Sequence, residues 1–315
     1  MKEMKKMNET TSSQVTEFIL MGITNHPHLQ GPLFVVFFLN YMVIAVGNLG
    51  LIILTSVDSQ LKTPMYFFLR HLAFADFGFS TAIGPNMLAG FVVKKNTISF
   101  NGCATQLFFF GTFILCELCM LSVMAYDRYV AICKPLLYMV IMSDRTCWIL
   151  VTISYLYSIM ICLLITFKIF NLSFCKSNII THFYCESFPL LSIVCSDTYE
   201  IELILLVISV FNLVSSLIII LFSYMFIVVA ILRMNSTEGR YKAFSTCGSH
   251  LTGVAIFYGT LLFMYMQPHS SHSFETEKIA SVFYTLVIPM LNPLIYSLRN
   301  KEVKGALKRV SQKLK

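Results

Sequence analysis

Asp76, Glu117, Asp127 and Arg128 all lie within or at the end of long apolar runs, where an ionised side chain is costly unless it meets a partner or water. Counting helical rise puts Glu117 about 16 Å along its run from Arg128 and Asp76 about 18 Å into its own run from Pro64. The two acids therefore sit near one depth, facing the interior with a partner or protonated. A cation or a shared proton would suit the pair; two hydrogen-bonded structural acids are the alternative. Asp127 and Arg128 are adjacent in "MAYDRYVAICKPLLY", Met124 to Tyr138, where the arginine can reach water or a neighbouring helix and the acid can partner it locally. Cys116 and Cys119 make a C-x-x-C inside an apolar run with no second ligand pair, which argues against zinc or redox chemistry. His182, Cys185 and Glu186 in "HFYCE" have a spacing suited to a soft metal, but Cys185 is better used in a disulfide. No HExxH, GxSxG or phosphate-binding glycine loop occurs, so nothing supports an enzyme.

The elements that position these groups follow from composition. Of 315 residues 57% are apolar and 12% charged, and the mean hydropathy is +0.73, values of a membrane protein. About 20 apolar helical residues cross the hydrocarbon core, and seven such stretches are read: 33 to 57, 64 to 90, 103 to 134, 146 to 170, 199 to 232, 242 to 266 and 277 to 298. Runs this long are not the ten-residue alternating strands of a barrel. The prediction is an all-α membrane protein, a seven-transmembrane helix bundle. It comprises an extracellular tail at 1–32, a bundle at 33–298, and a short cytoplasmic amphipathic helix and tail at 299–315. No internal half-repeat or paired broken helices point to a transporter.

Orientation comes from charge. With the C-terminus in the cytoplasm, that side carries 15 of the 23 Lys and Arg, against 8 elsewhere, which places the N-terminus outside. The net charge of +7 then reflects topology and contact with inner-leaflet lipid, with no call for nucleic acid. Sequons at Asn8 and Asn171 fall outside, and a third at Asn235 falls in the cytoplasm, where it should stay unmodified. No cleavable signal peptide is visible. Of ten cysteines, Cys103, Cys175, Cys185 and Cys195 lie in the oxidising compartment, enough for two bridges with three pairings open.

The string around Arg128 closely resembles the third-helix signature of olfactory receptors, a branch of the rhodopsin-like G-protein-coupled receptors. "GN" at 47 to 48, "TPMYFFL" at 63 to 69, "LAFADF" at 72 to 77, "KAFSTCGSHL" at 242 to 251 and "PMLNPLIYSLRNKEVKGAL" at 289 to 307 match the same family in order. The similarity covers essentially the whole chain and looks like the tetrapod-type class. Lys62, where the family usually shows histidine, and Gln267, where arginine is common, depart from the pattern.

The resemblance implies a receptor at the plasma membrane that binds a small volatile odorant and activates a stimulatory olfactory-type G protein, raising cyclic AMP. A non-signalling membrane protein of receptor ancestry is the alternative. It implies that Asp127, Arg128 and Tyr129 belong to a coupling switch, with Tyr224, Lys242 and Tyr296 rearranging around Arg128. It places Asn48 and Asn292 with Asp76 and Glu117 in a polar core able to hold an allosteric sodium ion, with no other cofactor. Family pairing implies Cys103–Cys185 and Cys175–Cys195. The odorant site lies further out, since Phe110 is about 27 Å along the helix from Arg128. Phe110, Gly111, Ile114, Leu115 and Leu118 recur there at helical spacing. Ile208, Ser209, Asn212, Tyr258, Leu261, Tyr265 and Thr285 are the opposing candidates, an apolar lining with a few polar groups.

Overall fold

The computed structural model describes residues 15–24, 26–93, 95–175, 177–265, 281–299 and 301–313. Its main helices are α1 (Pro27–Val57), α2 (Pro64–Val92), α3 (Phe100–Cys133), α4 (Asp144–Phe170), α5 (Tyr199–Leu232), α6 (Thr237–Tyr265), α7 (Ile288–Arg299) and α8 (Lys301–Lys313). Four of them, α1, α3, α4 and α5, are long and apolar enough to cross a membrane.

Local chemistry sets the starts. Proline opens α1 and α2, where its fixed φ suits the first turn and its missing N–H costs nothing. Ser99 caps α3 by accepting from Gly102 N at 3.1 Å. Ser143 caps α4 through Thr146 N at 3.4 Å, and Asp144 in the first turn and Lys168 in the last complement the helix dipole. The span read at 199 to 232 coincides with α5. Helix α1 starts earlier than 33 and α6 earlier than 242, because polar first turns carry no hydropathy signal.

Helix α3 is the central post, packed against α2, α4, α5 and α6, while α7 joins α1, α2 and α6. Close approach of α7 to α1 needs Gly47: a Cβ there would stand 3.1 Å from Pro293 Cγ. A π-helical turn, Phe283–Val287, leads into α7.

One end of the bundle carries a feature that helical reading does not foresee. Strand β1 (Glu17–Leu20), from the segment read as tail, lies between β2 (Asn96–Ser99) and β3 (Ile179–Ile180). Its pairing with β2 is antiparallel, Phe18 opposite Ile98, and with β3 parallel, Ile19 opposite Ile179. Phe18 and Leu20 are buried in a separate apolar cluster with Cys103, Leu107, Phe174, Ile180 and Cys185. Two disulfides close this end: Cys103–Cys185, with Cα atoms 5.6 Å apart, and Cys175–Cys195, at 5.7 Å.

Candidate functional site

At mid-bundle, α2, α3 and α7 bring Asp76, Glu117 and Asn292 together, all buried. Asn292 Nδ2 donates to Asp76 Oδ2 at 3.0 Å and Oδ1 at 3.2 Å, and to Glu117 Oε1 at 3.3 Å. One amide thus spans both acids. Asn48 donates instead to Ile44 O at 3.0 Å and Pro289 O at 3.1 Å, tying α1 to α7. Ser80, one turn on from Asp76, has a buried hydroxyl with no hydrogen-bond partner among the described residues, as does Asn48 Oδ1.

Toward the α8 end, Arg128 is 8% exposed and Asp127 is buried. They do not pair. Successive helical side chains diverge by about 100°, and Asp127 Oδ1 accepts from Tyr138 Oη at 2.9 Å instead, while Asp127 Oδ2 and Arg128 Nη2 have no hydrogen-bond partner among the described residues. The local partnership expected from sequence is thus no hydrogen bond or close ion pair among the described residues, although the Arg128 charge still acts on Asp127. Burial, and then the facing carboxylate, push the Tyr138 pKa up, so this loop hydroxyl stays a donor. Tyr129 packs its ring against Phe226 of α5 at 5.7 Å and lies under Lys134 Nζ at 5.8 Å.

Tyr224 reaches α6 through a residue that sequence reading passed over. His250 Nδ1 is 2.7 Å from Tyr224 Oη, and its Nε2 is 3.2 Å from Leu121 O. A carbonyl only accepts, so Nε2 carries the hydrogen, and in the neutral ring Nδ1 accepts from the tyrosine. One buried imidazole therefore links α3, α5 and α6, within electrostatic range of Arg128. Its signal was a polar residue inside the "KAFSTCGSHL" stretch. The side chains of Lys242 and Tyr296 lie outside the described residues.

At the sheet end, Phe110 stacks on Phe79 with centroids 5.3 Å apart and meets Tyr184 at 5.1 Å. Ile114 and Leu118 pack against the inner core, and Leu115 is buried. Gly111 faces elsewhere: a Cβ on it would stand 3.0 Å from Cys162 Sγ of α4, so it serves helix packing and not a pocket. Asn212 is likewise engaged, accepting from Tyr157 Oη at 2.8 Å and donating to Ile208 O at 2.8 Å. Ile208 is half-buried and Ser209 exposed. Tyr258 shares a hydrogen bond with Ser216, and Thr285 Oγ1 donates back to Ser281 O at 2.6 Å. Leu261 and Tyr265 have side chains outside the described residues. The loop is anchored by Gln106, which accepts from Cys185 N at 2.9 Å and donates to Ala82 O at 2.9 Å. His182 Nε2 lies 3.1 Å from Ser281 Oγ and 3.6 Å from Glu186 Oε2, and Cys185 is in a disulfide, so "HFYCE" is built into the loop.

A family model described as olfactory receptor matches residues 37–313. The chain is 64% identical to olfactory receptor 8K1 of Homo sapiens over 309 residues, covering 98% of this chain and 97% of that one. It is 64% identical to human olfactory receptor 8K3, covering 97% of each, and 56% identical to olfactory receptor 8U3 of Mus musculus, covering 98% and 96%. The chain belongs to the olfactory receptor family. The receptor is therefore a multi-pass membrane protein of odorant reception, a G-protein-coupled receptor and not an enzyme, which sets the transporter reading aside.

In the receptor, the motifs that carry the family likeness fall at helix contacts. Gly47 meets Pro293, Asp76 meets Asn292, and His250 joins Tyr224 to the α3 backbone. Asn171 ends α4, exposed, with Nδ2 donating to Phe167 O at 2.7 Å; Asn8 lies outside the described residues.

Proposed function

We propose that the receptor crosses the plasma membrane seven times with its N-terminus outside, binds a small volatile odorant among the outer halves of α3, α5, α6 and α7, and activates a stimulatory olfactory-type G protein to raise cyclic AMP. The observation that carries this reading is the His250 relay. It joins the three helices around a buried Arg128 by two hydrogen bonds, a contact set that outward motion of α6 must break. An odorant settling between α3 and α6 near Phe110 and Tyr258 biases that break, and a G protein entering at Arg128 exploits it. Glycans on Asn8 and Asn171 fit the same orientation.

The polar core accepts a cation on its donor chemistry. Asp76 and Glu117 supply carboxylate oxygens, and the buried Ser80 hydroxyl, with no partner among the described residues, adds another oxygen beside Asp76. Such donors suit a hard cation such as sodium, whose single charge would offset one of the two buried carboxylates; a proton shared between them serves the same need. Asn292 meanwhile holds both carboxylates in place in either case.

Cells carrying a cyclic AMP reporter and the surface-expressed receptor, screened against a broad odorant panel, test the reading. Odorant-dependent cyclic AMP absent from untransfected cells supports it. An odorant that binds with no cyclic AMP response points instead to a non-signalling protein of receptor ancestry.

A further inference from the structure

Tyr66 in "TPMYFFL" and Glu302 in "NKEVKGAL" stand in two of the family-like stretches, and their contacts among the described residues lie outside the polar core and the His250 relay. The fold joins them to each other. Tyr66 Oη, on a buried side chain, donates to Glu302 Oε2 at 2.6 Å. Seven residues further along α8, Arg309 Nε and Nη2 donate to Asp58 Oδ2 and Oδ1, each at 3.0 Å. Asp58 is 6% exposed in its side chain and also accepts from Gln60 N at 2.8 Å, so the turn between α1 and α2 shapes the acceptor before α8 arrives. A fork-on-carboxylate contact fixes direction as well as distance.

Residues 302 and 309 are two helical turns apart on one face, about 10 Å along the axis. Two points on one face prevent α8 from rolling or lifting at either end. Val303 and Ala306 are buried beneath it, while Lys304, Leu307 and Lys308 are held outward. The fastening is at the same end as Arg128: Tyr66 lies about 15 Å beyond Asp76, as Arg128 lies about 16 Å beyond Glu117, and those acids share one amide.

We propose that Asp58–Arg309 and Tyr66–Glu302 form a two-point latch, and that these four are positioning residues for G-protein coupling. The latch makes α8 part of the fixed frame of α1 and α2, so the cationic outer face of α8 stays presented beside Arg128 while α6 moves. The proposal rests on the G-protein reading above, and its test has one arm independent of that reading.

In the full-length receptor, Asp58→Asn keeps an acceptor for Gln60 N and removes the ion pair, Arg309→Gln removes the fork, and Arg309→Lys keeps charge without it. At matched surface expression, each of the first two should lower maximal odorant-driven cyclic AMP about three- to tenfold, a modest effect because Arg309 is partly exposed and screened. Odorant affinity measured without G protein should not move, Arg309→Lys should fall between, and the Asp58→Asn/Arg309→Gln double variant should be no worse than either single. Hydrogen exchange over residues 301–313 in purified receptor should quicken by a similar factor in the same variants. Losses that multiply in the double variant, or unchanged exchange in Asp58→Asn, overturn the latch. A wild-type receptor silent to every odorant counts against the G-protein reading, and exchange alone then decides the latch.

Discussion

Asn292 presents one amide to two carboxylates, and that geometry limits what a change at Glu117 can do. Glu117→Gln removes one acid but leaves an amide oxygen to accept from Asn292 Nδ2, now 3.3 Å from Glu117 Oε1. The core should stay packed while its need for a neutralising cation or proton falls. Surface expression near wild type, with altered basal cyclic AMP and a changed sodium or pH dependence, is the expected result; an unaltered sodium and pH response would falsify the shared-charge role. His250 is the second residue whose contacts set its effect. Arg128 is 8% exposed, and His250 joins α3, α5 and α6 by two hydrogen bonds that, on the proposed reading, hold the resting arrangement. His250→Phe keeps a planar ring, slightly larger than imidazole, and removes both, about 1–3 kcal/mol at typical net values. Basal cyclic AMP should then rise between about fivefold and 150-fold. Unchanged or lowered basal activity in a surface-expressed variant would show that the relay does not hold the closed form.

Among the elements, β1 matters out of proportion to its length. Ile19 N donates to Asn178 O at 2.8 Å, and Phe18 is fully buried between Phe100 and Phe174, at 5.9 and 5.3 Å. Ile19→Pro deletes that donor and cannot continue the pairing, while Phe18→Ala empties a buried site at a cost of about 3–5 kcal/mol. Both should lower surface delivery strongly while Ile19→Val stays near wild type, as flow cytometry of intact cells would read. The long apolar helices were legible in the sequence because such a helix announces itself by local composition: the run 199 to 232 became α5 with the same ends. Strand β1 was not, since "EFIL" is too short to show a period and its partners lie in two distant loops. Depth was legible and rotation was not. Counting rise brought Asp76 and Glu117 to one level, whereas Gly111 turned out to face Cys162 and Asn212 to meet Tyr157, because a nearly all-apolar helix carries little periodic signal to say which face looks inward.

Across the whole molecule, the aromatic cluster at the sheet end and Arg128 are separated by about 27 Å of α3, too far for direct contact. On the proposed reading, an odorant at the first and a G protein at the second influence each other only through two arrangements of the bundle, both ligands favouring the same one. The proposed reading puts the division between those arrangements at α6. On α6, Tyr258 bonds Ser216 of α5, and two turns along the same helix His250 bonds Tyr224 and Leu121 O, so α6 contacts its neighbours at both of the levels that the proposed reading makes functional. Arg128→Ala removes a group that the proposed reading uses only for G-protein coupling, with Asp127 still held by Tyr138. Cyclic AMP production should be abolished while odorant still binds, more weakly by the lost coupling, typically about five- to 150-fold where G protein is present and not at all where it is absent. Tyr258→Phe should do the reverse, shifting odorant potency with the maximal response retained, because its hydroxyl partner is at the outer end and Arg128 is untouched. Surface expression, odorant binding with and without G protein, and cyclic AMP on the same cells separate the two. Full odorant-driven signalling by a surface-expressed Arg128→Ala receptor would refute the switch role of Arg128 while leaving the fold intact, since no described hydrogen bond or ion pair of the bundle depends on that side chain.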